Sequence, residues 1–315
     1  MAERNRLSKV GDGSVRGIYT LLVGVVFFSL QDVVIKSFSD RLPVFEIMFL
    51  RGIFSLPALL FLVHRSGGVG TLKTRRIGAH LLRSVTLLLS YAFYYLAMAA
   101  LPLADAVALF FSSPIFITLF SIVFLKEWVP MDRWLAILSG GLGVVIMLRP
   151  GAGMVDPAAL LSILAAVAYA ACMLVTRKLG DTESGAVMAF HTMVVMLVFS
   201  GILGALMGDG RFYGEGHASM RFFTRAWVMP TGSEFFLLIA ISFGAAMGLF
   251  CITEAYRITR SSTVAPFEFS AMVPAVFWGF LIWGEVPGIH TMTGMTLIIG
   301  GGIYMLRREA RQARA

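Results

Sequence analysis

Ionisable side chains set inside long apolar runs are the residues of this sequence whose type and spacing could do chemistry. Asp32 and Lys36 stand four apart in one such run, hence on one face if the run is helical. They can neutralise each other, with Lys36 reaching outward along the helix, or present a charge pair to a zwitterion or a proton. Arg51 lies in the first half of the next run, and Glu46 falls off its face. Asp32 is therefore its expected partner, and its chemistry would be to bind an anionic group or lock a gate. Arg83, near a run's end, is expected to snorkel out. Glu254 and Arg257, three apart, can pair locally. Glu268 is a lone acid between Pro266 and Pro274, and an acid there could take up and release a proton. His191 reads as a hydrogen-bonded structural residue or a titrating one. Tyr91, Tyr94 and Tyr95 could stack a flat ring such as a flavin or adenine, with an aromatic belt at a membrane interface as the expected reading. The candidate substrate-binding set is Asp32, Arg51, Tyr91, His191, Glu254 and Glu268. Asp32, Lys36 and Arg51 form the candidate ion pair or gate, and Pro114, Pro266 and Pro274 the candidate helix breakers.

The elements that must position these residues follow from composition. Hydrophobic residues make up 58% of the 315 residues and charged ones 14%, against about 25% charged in a soluble domain. Such a chain would expose large apolar patches in water, so a bilayer is its solvent. A span takes roughly 20 mainly apolar residues. Ten spans fit, at 18–38, 43–63, 78–99, 103–125, 133–149, 156–178, 185–207, 235–257, 262–284 and 288–306. The expected fold is all-α and integral to the membrane. The first span resembles a signal peptide at its basic start, but Gln31, Asp32 and Lys36 interrupt it and no small-residue cleavage site follows; it is read as retained. A charge at the centre of a span costs about 2.5–3.5 kcal/mol, so each buried one needs a partner or a purpose.

Basic residues set the orientation. With both ends inside, the inner segments hold the tail from Arg4 to Arg16, Arg65 to Arg76, Lys126 with Arg133, Arg177 with Lys178, Arg257 with Arg260, and Arg307 to Arg314. The outer ones hold only Arg41, Arg149, Arg211, Arg221 and Arg225. That asymmetry is the positive-inside pattern. It places both termini in the cytoplasm of a bacterial cell, with the protein multi-pass in the inner membrane. The net charge of +8 is thus a topology anchor against lipid, and nucleic acid is not an expected partner. The outer stretch 208–234, with Arg211, Phe212, Arg221, Phe222, Phe223, Arg225 and Trp227, reads as an interfacial amphipathic segment.

The second half echoes the first. Ser112-Ser113-Pro114 aligns with Met272-Val273-Pro274, Glu127 with Glu285 after a two-residue shift, Gly143 with Gly301, and Lys36 with Lys178. Five spans per half place the halves in opposite orientation, giving two repeats at 17–149 and 156–308 between basic tails, 1–16 and 309–315. Inverted repeats are common in secondary transporters, which hold substrate near the midplane where the halves meet.

Five-plus-five helices, the segment Leu101-Pro102-Leu103-Ala104-Asp105-Ala106 leading into Ser112-Ser113-Pro114, and then Glu127 resemble the EamA family of the drug/metabolite transporter superfamily. Ser262-Thr263-Val264-Ala265-Pro266, Pro274 and Glu285 carry a weaker echo. Phe49-Leu50-Arg51 in span two resembles the branches of riboflavin and S-adenosylmethionine carriers. The resemblance implies a central cavity lined by spans one to four and six to nine, spans five and ten standing aside, and a small metabolite as cargo. The cargo could be vitamin-, nucleoside- or amino-acid-like and move inward or outward.

Other classes lack their residues. No H-E-x-x-H pair or G-x-S-x-G turn is present, which argues against an intramembrane enzyme. His64, His80, His191, His217 and His290 are scattered, and Cys172 and Cys251 lie in apolar runs as packing residues; no metal or cofactor is expected. A phosphate loop is also missing, so drive by ATP is not expected and protons are the candidate coupling ion. No filter residues repeat as a channel would need. A homodimer is compatible with the sequence.

Overall fold

The computed structural model describes residues 2–126, 131–148, 156–214, 216–259, 264 and 267–312. Glu127 and Pro266, singled out above, lie outside them. The apolar runs fold as helices because hydrocarbon offers the backbone no hydrogen-bond partner. The first repeat holds α1 (Ala2–Phe38), α2 (Val44–Arg65), α3 (Ile77–Met98), α4 (Leu103–Phe110), α5 (Ser113–Leu125) and α6 (Met131–Leu148). The second holds α7 (Pro157–Leu179), α8 (Gly185–Met207), the short α9 (Ala218–Thr224), α10 (Gly232–Ile258), α11 (Met272–Trp283) and α12 (Ile289–Gln312). No strand occurs among the described residues. Seven stretches, α4 and α5 taken as one, are long and apolar enough to span a bilayer, and α6 and α11 hold shorter apolar stretches. Helix α1 starts well before the expected position 18 and runs through the basic N-terminal segment.

Pairing of helices shows the inverted two-fold. α3 packs on α7, and their repeat mates α10 and α1 pack on each other, while α2 meets α8 and α6 meets α12 mate to mate. The last pair stands aside from the others, in line with the resemblance. It closes tightly because a Cβ added at Gly143 would lie 2.7 Å from the Gly294 carbonyl oxygen, a clash that only glycine avoids.

Both repeats break their fourth span. In the first, α4 ends and α5 restarts at Ser113 with Pro114 in its first turn. In the second, a short 3-10 turn over Phe269–Ala271 leads into α11, which carries Pro274. A proline at these positions has no N–H to give the preceding turn. The hydroxyls of Ser113 and Ser270 beside the breaks are buried without a partner among the described residues. The matching helices also end alike, on left-handed residues Lys126 (φ 54°) and Gly284 (φ 66°). Glycine takes that conformation without strain.

Candidate functional site

Where the repeats meet, α1, α3, α4, α7, α10 and the 267–275 segment enclose a cavity of about 920 Å³, its opening included. Phe28, Tyr91, Tyr94, Phe110 and Tyr169 are among the aromatic residues that line it. Tyr91 and Tyr95 lie nearly parallel, with centroids 5.6 Å apart. The three α3 tyrosines therefore face the protein interior; the aromatic-belt reading is corrected. Spaced three and four apart, they turn one face of α3 inward.

Two carboxylates line the cavity, one from each repeat. Asp32 accepts a hydrogen bond from the Tyr94 hydroxyl at 2.9 Å. Glu268 is 4% exposed, and its Oε1 accepts from Tyr169 at 2.5 Å and from Tyr256 at 2.8 Å. Its Oε2 is buried without a partner among the described residues, which is costly unless something visits it.

Arg51 sits directly behind this wall, 0% exposed. Its guanidinium carbon lies 4.6 Å from the Tyr91 ring centre and 5.7 Å from that of Tyr95. One nitrogen donates to Gln31 Oε1 at 3.0 Å and to the Tyr95 hydroxyl. The other terminal nitrogen lies 3.4 Å from Met196 Sδ, and Nε has no partner among the described residues. The expected ion pair with Asp32 is not formed among the described residues. Gln31 and the tyrosine rings hold the cation instead, an arrangement that π-faces support.

The expected pairing of Asp32 with Lys36 is corrected as well. Lys36 Nζ meets Glu285 Oε1 at 2.8 Å and the Leu101 carbonyl oxygen at 2.8 Å, with the Trp283 ring 5.1 Å away. Glu285 Oε2 in turn accepts from the Leu103 backbone N–H at 2.8 Å. This cluster ties the end of α1 and the start of α4 to the α11–α12 link, so it joins the two repeats at one end of the bundle. Lys36 turns away from Asp32 because Glu285 and a free carbonyl lie in reach beyond the helix end.

Arg83 does not snorkel. It is 0% exposed and donates to Thr176 Oγ1 at 2.8 Å, the Met188 carbonyl at 3.0 Å, Thr192 Oγ1 at 2.5 Å and Thr253 Oγ1 at 2.8 Å. These partners come from α7, α8 and α10, all in the second repeat. His191 and Glu254 are absent from the cavity lining. The His191 ring lies 4.4 Å from that of His80, tilted by 36°, and His80 lies 3.6 Å from Glu183. Glu254 pairs with Arg257 at 2.5 Å, as their spacing suggested. Segment 208–231 folds back over the Lys36 end. Phe222 is buried there, Val228 N–H donates to Glu46 at 3.0 Å and Arg225 to the Ser39 carbonyl at 2.8 Å.

The EamA-like transporter family matches residues 15–149 and 156–307, almost the whole chain. The protein belongs to this family. It is a multi-pass membrane transporter for a small organic metabolite, not an enzyme. It is 28% identical over 296 residues to the S-adenosylmethionine uptake transporter of Rickettsia conorii, covering 94% of each chain. It is 28% identical to the riboflavin transporter of Rhizobium johnstonii (95% of this chain, 93% of that one) and 28% to the pseudopaline exporter of Pseudomonas aeruginosa (93% and 96%). A solved crystal structure superposes with a TM-score of 0.66 at 18% identity, covering 94% of this chain and 98% of that one, which shows a shared fold.

Sequence reasoning missed Tyr169 and Tyr256 as the groups that hold Glu268, and Glu285 as the partner of Lys36. The first two give no local signal, since each is a single tyrosine in an apolar helix. Glu285 had one: it is an acid at the end of a span, at the position that echoes Glu127.

Proposed function

We propose that the central cavity is the substrate site of an alternating-access carrier for a flat-ringed metabolite of the nucleoside or vitamin kind. The observation that carries this is a cavity between two inverted repeats whose walls are tyrosine and phenylalanine faces. Such faces bind planar rings by offset stacking. The Rickettsia and Rhizobium relatives carry, by name, S-adenosylmethionine and riboflavin, and both molecules contain flat heteroaromatic rings.

In this reading Asp32, Tyr91 and Glu268 contact substrate, and Arg51 holds the α3 rings from behind. The repeats work as units 17–149 and 156–308, with both termini in the cytoplasm and the chain in the inner membrane. The Lys36–Glu285 cluster closes the outer end, and opening it exchanges that contact for water. Protons are the coupling ion, taken up at Glu268. The test is counterflow in proteoliposomes: vesicles preloaded with unlabelled S-adenosylmethionine or riboflavin are given the same compound labelled outside. Transient accumulation of either above that of protein-free vesicles supports the reading. Absence of accumulation for both overturns it.

A further inference from the structure

The cavity is charged on one side of the ledger only. Among its described lining residues, Asp32 and Glu268 are acids and no lysine, arginine or histidine appears. Two arginines stand behind the wall: Arg51 is held there by Gln31 and two tyrosine faces, and Arg83 by hydroxyls that include Thr253. The Tyr94 and Tyr169 hydroxyls already give their protons to the two carboxylates. The orphan Oε2 of Glu268, on a side chain 4% exposed, is an acceptor without a donor. An anionic or acceptor-rich head would leave that oxygen unpaired. A cation would satisfy the oxygen and gain from the ring faces as well.

We infer that the substrate carries a fixed positive charge, a sulfonium, beside its flat ring, and that Glu268 Oε2 receives that charge. The inference rests on the proposal that this cavity is the substrate site. It also assigns a role to each wall: Tyr91 and its neighbours read the ring, while Glu268 reads the charge. The lone-pair geometry of Glu268, with Oε1 fixed by Tyr169 and Tyr256, leaves Oε2 as the free acceptor.

S-adenosylmethionine and S-adenosylhomocysteine make the test, because they share ring, ribose and amino-acid end and differ by one methyl and the sulfonium charge. Binding of each, and of uncharged riboflavin, is measured by calorimetry on the purified full chain, on Glu268→Gln and on Ala275→Trp, which fills the cavity. The expected result is at least tenfold tighter binding of S-adenosylmethionine than of S-adenosylhomocysteine. In Glu268→Gln that ratio falls toward one while S-adenosylhomocysteine still binds, which shows that the cavity is intact. Equal or tighter binding of S-adenosylhomocysteine, or binding of riboflavin alone, overturns the charge assignment and leaves the cavity reading standing. A charge preference that survives in Glu268→Gln removes Glu268 as the receiving group. Binding that survives in Ala275→Trp, or no binding of any of the three, overturns the cavity reading itself.

Discussion

Arg51 and Arg83 sit in neighbouring helices of the same repeat, both fully buried and neither in contact with a carboxylate among the described residues. Their surroundings differ in kind. Every nitrogen of Arg83 donates to a partner, among three threonine hydroxyls and a carbonyl from three helices of the other repeat. Arg51 rests on ring faces, shares one nitrogen between two partners and leaves Nε unpaired. A buried cation is tolerated only when its donors are met, so Arg83 reads as a tie that holds the repeats in register. Arg51, with donors to spare beside the cavity, is the one whose surroundings can respond to a ligand. Burial alone does not separate a structural charge from a functional one; saturation does.

The largest effect that would break this contrast is at Arg83. Replacing it with leucine removes the four hydrogen bonds it gives to Thr176, Thr192, Thr253 and the Met188 carbonyl. Thermal unfolding in detergent should then report a loss of about 3–5 kcal/mol, since hydrogen bonds to a charged group contribute about 1.5–3 kcal/mol each and the leucine fills part of the space. A stability within 1 kcal/mol of wild type would remove its role as a tie. Arg51→Gln should cost less stability, about 1–2 kcal/mol, yet lower counterflow at least tenfold, equivalent to about 1.4 kcal/mol. Wild-type flux in a folded Arg51→Gln protein would end the distinction between the two arginines.

A third variant sharpens the comparison at the bundle's end. Lys36→Met leaves the Glu285 carboxylate, among the described residues, with only the Leu103 N–H, so the Lys36 end should open more often. In a background with Cys172 and Cys251 replaced by alanine, maleimide labelling of Val107→Cys should rise several-fold, a bias of about 1 kcal/mol between the two states. Unchanged labelling would show that this cluster is not a gate. The smallest effect belongs to the partly exposed Glu254–Arg257 pair. Glu254→Gln should shift stability by less than about 1 kcal/mol, as for surface ion pairs, and leave counterflow intact; a lost flux would place Glu254 in the transport path after all.

Several of these features were legible in the sequence and others were not, for a common reason. The helices were legible because hydropathy over 20 residues is a local property. The broken fourth spans were legible through Pro114 and Pro274, which act on their own backbone. Glu268 stood out because an acid in an apolar run is conspicuous wherever it points. The partner of a charge was harder to read. Asp32 faced Lys36 by spacing yet took Tyr94; Arg83 lay near a helix end yet turned inward; the α3 tyrosines suited an interface yet lined a cavity.

The sequence by itself determined that the chain lies in a membrane, that its halves repeat in opposite orientation, and which few polar groups are costly enough to matter. All three follow from one-dimensional sums: apolar length against bilayer thickness, basic residues by loop, and the transfer cost of a charge. Only the tertiary structure decided which costly groups meet. Lys36 reaches Glu285 across 249 positions and Glu268 is held by Tyr169 across 99. Hydrogen bonds act over about 3 Å, so these partners are fixed by how helix faces rotate toward one another when the repeats pack, a quantity that no single segment contains.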